Sequence, residues 1–162
     1  MDATLIIARI ARAIERHKLE AILIGNAAAA IHGAPVTTID VDFVYRKTPG
    51  NTRKLKQVAK ELGATLYAPF YPASNILRMM NDDETLQVDF MEEATGIRSF
   101  EGPRKRAQKV NVGGVNLLVA NLADIIKMKR TLNRPKDRAV LEILEKTFEA
   151  IEAKSEGETG DT

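Results

Sequence analysis

The chain contains no cysteine. That excludes disulfides, thiolate nucleophiles and sulfur-ligated zinc or iron–sulfur sites. Its only histidines are His17 and His32, too few for a histidine-rich metal site. The opening segment MDATLIIARIARAIERH carries acidic Asp2 and no long apolar run, so neither a secretory leader nor a membrane span is expected there. A soluble cytoplasmic protein with no membrane partner is expected. Nor is there a marked excess of charge. The net charge is +2, from 24 Lys and Arg against 22 Asp and Glu, which by itself does not argue for nucleic-acid binding. No internal repeat and no long linker interrupts the chain.

What is present fits one domain. A chain of 162 residues buries roughly two-thirds of its unfolded surface and needs no staples. One domain is expected over residues 1–154, with residues 121–154 as its helical C-terminal part. The tail SEGETGDT, residues 155–162, is acidic and poor in apolar residues, and is expected to be disordered.

Local patterns give an alternation of elements. Ile6, Ile7, Ile10, Ala13 and Ile14 recur at helical spacing. LEAILIG (19–25) is a short apolar run ending in glycine, a buried strand. NAAAAIHG (26–33) follows as a short helix, with Asn26 as N-cap and Gly33 as stop. After Pro35, TIDVDFVYR (38–46) forms a strand. A helix over 48–63 and a short strand over 64–70 come next. NILRMMN (75–81) and ETLQVDFME (84–92) make a hairpin turning at NDDE, and 104–120 makes another turning at Gly113-Gly114. Helices over 121–132 and 134–154 close the chain, capped by Asn121 and started by Pro135. The expected class is α+β, a mixed β-sheet with helices packed against it and a C-terminal helical pair.

The chemistry starts at VTTIDVDFVY (36–45). Residues two apart in a strand share a face, so Asp40 and Asp42 project together while Ile39, Val41 and Phe43 face the other way. Two close carboxylates in a poorly solvated place take up a proton or recruit a cation. Magnesium, with its preference for oxygen ligands, suits them. QVDF (87–90) sets Asp89 in the same Val-Asp-Phe frame as Asp42. Were the two strands neighbours, Asp40, Asp42 and Asp89 would form a carboxylate triad able to hold metal for phosphoryl or nucleotidyl transfer. Taken alone, an Asp-x-Asp pair more often sits on a solvated sheet face. The Gly25-Asn26 turn into a helix offers free backbone N–H groups to a phosphate, although as a lone feature it is an ordinary strand–helix turn.

Together these residues resemble the nucleotidyltransferase superfamily, the polymerase-β-like fold, and are most similar to its minimal nucleotidyltransferases and the AbiEii-type toxin group. The matching positions are Gly25, Asn26, His32, Gly33, Thr38, Asp40 and Asp42, then Asp89, and a C-terminal stretch with Asp124, Lys129, Arg134, Lys136 and Asp137. The likeness covers roughly residues 19–145. Asn26 stands where the family has Gly or Ser, and Val36 where it has Arg. The resemblance implies an NTP held by Gly25, Asn26, Thr38, Lys129 and Lys136. It also implies Mg²⁺, two ions, on Asp40, Asp42 and Asp89, with NMP transfer to a hydroxyl of a protein, a tRNA or a small molecule such as an aminoglycoside. A cognate toxin or antitoxin partner is a further implication. Two other readings stay open: a non-catalytic binding module or antitoxin on the same fold, and a carboxylate-dependent nuclease or phosphatase.

Three further features have plainer readings. His32 is expected to pack or hydrogen-bond near the Asp strand. The basic run Arg104–Lys109 is expected at a solvated strand edge, with nucleic-acid phosphates as the alternative. Tyr67, Phe70 and Tyr71 form an aromatic cluster framed by Pro69 and Pro72 in a loop.

Overall fold

In the computed structural model, residues 3–37, 40–68, 75–92 and 99–159 are described. The elements are α1 (Ala3–His17), β1 (Ala21–Ile24), α2 (Gly25–Ile31), β2 (Val41–Tyr45), α3 (Pro49–Glu61), β3 (Thr65–Tyr67), β4 (Ile76–Met80), β5 (Gln87–Met91), α4 (Glu101–Arg106), β6 (Gln108–Val112), β7 (Val115–Val119), α5 (Leu122–Leu132) and α6 (Pro135–Thr159). The strands form one mixed sheet in the order β3-β4-β5-β2-β1-β7-β6. The central pairs set the chemistry: β2 runs parallel to β5 and antiparallel to β1, while β4 runs antiparallel to β5.

The central strands are apolar because they are covered. Ile22, Leu23, Phe43, Val44, Val88, Phe90 and Val119 are fully buried. Phe43 and Phe90 stack across the β2–β5 pair with centroids 5.3 Å apart. Helix α1 packs on β7 and β6 and against α3. Helix α2 packs on β1 and β2 and against α5, which in turn holds α6. The caps follow local chemistry: Thr48 accepts from the Asn51 N–H ahead of Pro49, and Asn121 accepts from the Asp124 N–H at 2.8 Å. The carboxy end of α5 stops at Asn133, which adopts the left-handed conformation.

The expected mixed sheet, its two hairpins and the C-terminal helical pair are all present. Several details differ. Asn26 is not the cap of α2. The helix begins at Gly25, Ile24 takes the N-cap position, and no side chain caps it. The expected strand 38–46 is shorter: β2 covers 41–45, and Asp40 lies just before it, exposed. Thr38 and Ile39 lie outside the described residues. Arg104, Lys105 and Arg106 are in the last turn of α4 rather than on a strand edge, since Glu101 opens a turn of helix before β6. Helix α6 continues through residues 155–159, where the tail was expected to start, and residues 160–162 are outside the described set. Of the aromatic cluster, Tyr67 sits exposed on β3, while Phe70 and Tyr71 are not among the described residues. No helix among the described residues is long and apolar enough to cross a membrane.

Candidate active site

The two Val-Asp-Phe triplets pair in register. Val41 lies opposite Val88, Asp42 opposite Asp89 and Phe43 opposite Phe90. Paired residues share a sheet face, so both aspartates project from the face away from the stacked phenylalanines. The same line continues across the sheet. Ile24 of β1 is opposite Asp42, Arg78 of β4 opposite Asp89, and Tyr67 of β3 opposite Arg78. A single row of side chains thus runs Ile24, Asp42, Asp89, Arg78, Tyr67.

Asp42 is the strained member of this row. Burial, then the neighbouring charges of Asp89 and Asp40, push its carboxyl up from 3.8 to about 6. Lys129 of α5 and Lys136 of α6 act in the opposite direction. The structure therefore brings both predicted lysines and the other two predicted aspartates within electrostatic reach of the Asp42 carboxyl. Asp89 is differently placed. It is buried, and both of its oxygens accept from Arg78: Nε donates to Oδ1 at 2.8 Å and Nη2 to Oδ2 at 3.1 Å.

Gly25 closes the site from the β1 side. Its φ is +70°, and a Cβ there would stand 3.2 Å from Asp42 Oδ2. Glycine is required twice over, for the left-handed backbone and for the approach of the chain to the carboxylate. Gly25→Ala is expected to lose about 1–2 kcal/mol from the backbone alone, measured by urea denaturation. A loss below roughly 0.5 kcal/mol would show that the turn relaxes freely. Beside it, Asn26 Oδ1 is buried and makes no hydrogen bond. Thr38, expected at the nucleotide, falls outside the described residues.

Helix α5 is positioned by polar contacts at both ends. His32, after α2, donates from Nε2 to the Ala120 carbonyl at 2.7 Å, a structural bond that ties α2 to the β7–α5 connection. At the far end, Asp137 is fully buried. It accepts from Arg134 Nε at 2.6 Å, Arg134 Nη2 at 3.1 Å and Lys129 Nζ at 3.4 Å. The hydrogen bond from Arg134 holds its carboxyl down at about 2. Asp124, at the start of α5, accepts from Arg106 Nε at 2.9 and 3.1 Å. Arg106 thus has a structural partner inside the fold.

Among the described residues, no three histidine or acidic side chains are grouped as a metal-binding cluster. The donor set still suits a cation. Asp42 is half-buried beside two further carboxylates and is raised by both, the arrangement in which a divalent ion replaces a proton. A cleft of about 330 Å³ elsewhere is lined by Ile14, Phe100, Arg104 and Lys109 among others, and none of the row residues borders it.

Sequence reasoning placed Asp42 and Asp89 side by side but missed Arg78. The signal lay in the hairpin register. Were the β4–β5 turn centred between Asp82 and Asp83, Arg78 would stand opposite Gln87. The actual connection runs from Asn81 to Leu86, held by Asn81 Oδ1 accepting from the Leu86 N–H at 2.9 Å, and it shifts Arg78 opposite Asp89.

Residues 3–156 match the model of a family described as nucleotidyl transferases of unknown function (DUF2204), and the chain belongs to that family. Solved structures share its fold at low identity. One is the antibiotic-resistance factor ANT(2″)-Ia in complex with adenylyl-2″-tobramycin, 14% identical, covering 94% of this chain and 92% of that one, with a TM-score of 0.65. A Thermotoga maritima protein described as a nucleotidyltransferase is 16% identical over 84% and 88% of the two chains, with a TM-score of 0.63. The lincosamide antibiotic adenylyltransferase LnuA, bound to lincomycin, is 12% identical over 82% and 89%, with a TM-score of 0.57. A search of curated proteins found no significant match.

Proposed function

We propose that the chain transfers a nucleoside monophosphate from an NTP to a hydroxyl acceptor at the Asp42–Asp89 row. The observation that carries this reading is the in-register pairing of the two Val-Asp-Phe triplets, with two lysines acting on the same carboxyl. Family membership supports the reaction class.

Asp40 and Asp42 would hold Mg²⁺, which when bound neutralises triphosphate charge and lowers the pKa of an attacking hydroxyl. The chain supplies the rest. Gly25 lets backbone approach the phosphates beside Asp42, and Lys129 and Lys136 provide point charges for the β and γ phosphates. In the transfer, the acceptor oxygen bonds to the α-phosphorus. The bond from that phosphorus to the oxygen bridging the β-phosphate breaks, and pyrophosphate leaves with that electron pair. The hydroxyl proton passes to a carboxylate of the row or to water. The likeness to adenylyltransferases of aminoglycosides and lincosamides favours a small hydroxylated molecule as acceptor, ahead of a protein or a tRNA. A toxin–antitoxin role rests on the sequence resemblance alone.

The second reading, a non-catalytic binding module or antitoxin, is favoured by the occupation of Asp89 by Arg78 and by Asn26 and Val36 at family positions. The two separate by experiment. Each of the four NTPs, labelled at the α-phosphate, is incubated with Mg²⁺ and panels of aminoglycosides, lincosamides, tRNA and proteins. Transfer of label by the native chain, absent from Asp42→Asn, is the expected result. Neither transfer nor nucleotide binding would leave the binding module.

A further inference from the structure

Resting on the metal–nucleotide reading above, we infer that Arg78 is the resident second cation of the site, so that the chain works with one divalent ion rather than two. A second ion in a carboxylate triad needs the free oxygens of the third carboxylate. Here that carboxylate is Asp89, and Arg78 takes both of its oxygens side-on, at 2.8 and 3.1 Å. The guanidinium fork matches a carboxylate in this geometry, and charge-assisted pairs of this kind are the strong ones.

The pair is built into the sheet. Arg78 and Asp89 face each other in the β4–β5 ladder, so the guanidinium reaches the carboxylate without leaving its strand. Asp89 is buried, with its side chain 11% exposed. A buried carboxylate needs a permanent cationic partner, and arginine remains charged at every physiological pH. Arg78 also feels all three aspartates. Its proton is held more tightly by the Asp89 bond first, and by the charges of Asp40 and Asp42 as well. A divalent ion displacing Arg78 would have to break both hydrogen bonds and leave a guanidinium beside it. Asp42, by contrast, has Ile24 as its other neighbour in the ladder, so no guanidinium stands opposite it.

The test counts bound ions with Mn²⁺ and a non-hydrolysable NTP analogue, by equilibrium dialysis and by electron paramagnetic resonance. The native chain should hold one Mn²⁺ per bound nucleotide, with the spectrum of an isolated ion. Arg78→Met, which keeps the aliphatic stem, should hold two, as a spin-coupled pair. Asp89→Asn guards against a Met variant that fails to fold: it should leave the count at one, where a two-ion site would drop from two to one. A coupled pair in the native chain overturns the inference and leaves the metal–nucleotide reading intact. So does an isolated ion in a folded Arg78→Met protein. No Mn²⁺ and no nucleotide bound to any of the three proteins overturns that reading itself, and this inference with it.

Discussion

Asp42→Asn makes the ligand-free protein more stable at pH 8 and abolishes the stabilisation that Mg²⁺ with an NTP gives the native chain. The first effect follows from the ionisation of Asp42. Burial, with Asp89 and Asp40 adding to it, raises its carboxyl from 3.8 to about 6 in the folded chain. Between those values the folded state holds more protons than the unfolded state, so this group's contribution to stability falls as pH rises. The cost is absent below about pH 4 and complete above about pH 6. Its size is on the order of 3 kcal/mol, at about 1.36 kcal/mol per pKa unit. The amide carries no charge and escapes this cost. For a chain of this size, each kcal/mol moves the melting temperature by about 2–4 °C. Melting curves of both proteins should therefore separate at pH 8 and converge toward pH 4. A variant less stable than the native chain at pH 8 would show that Asp42 makes a favourable bond that outweighs repulsion. The second effect is measured against each protein's own ligand-free form. A ligand at about 100 times its Kd stabilises the native state by roughly 2.7 kcal/mol, and the amide should lose this.

Asp137→Ala lowers stability by about 3–5 kcal/mol, the scale for removing one partner of a buried ion pair. Asp137 is fully buried and holds two cations, Lys129 of α5 and Arg134 in the connection before α6. Lys129 has a side chain only 13% exposed, so it cannot turn to water without moving α5. The pH dependence has the opposite sign to that of Asp42. The carboxyl is held down at about 2, chiefly by the Arg134 hydrogen bond. Its contribution is fully present above about pH 4 and is lost as pH falls through about 2. Urea denaturation at pH 7 and pH 3 checks both the size and the trend. A loss under about 1 kcal/mol at pH 7 would show that both cations rehydrate, and that α5 and α6 are held by apolar packing alone.

Much of this arrangement was legible in the sequence, for physical reasons that differ by element. The pairing of Asp42 with Asp89 was readable because an identical triplet in two apolar runs imposes the same alternation on both strands, and the register then followed. The C-terminal helices were readable from Asn121, Pro135 and the apolar spacing between them. Asn26 was misread because side-chain capping propensity assumes that the cap lies outside the helix. Here Gly25, with φ +70°, already begins the turn, so Asn26 enters the helix with its amide oxygen unpartnered. The basic run at 104–106 was misread because a six-residue helix carries too few turns to show a period. Arg78 was hidden by a two-residue difference in hairpin register, set by how Asn81 folds back on Leu86. Long-range pairs such as Arg106 with Asp124 leave no local mark in a single sequence.

The acid row as an Mg²⁺–NTP site is tested most directly by calorimetric titration of the native chain with non-hydrolysable NTP analogues, with and without Mg²⁺. The account predicts saturable binding of at least one nucleotide that requires the ion, weakens as pH falls below about 6 where Asp42 takes up its proton, and is lost in Asp42→Asn. Binding of equal strength with and without Mg²⁺, or retained in Asp42→Asn, would contradict it.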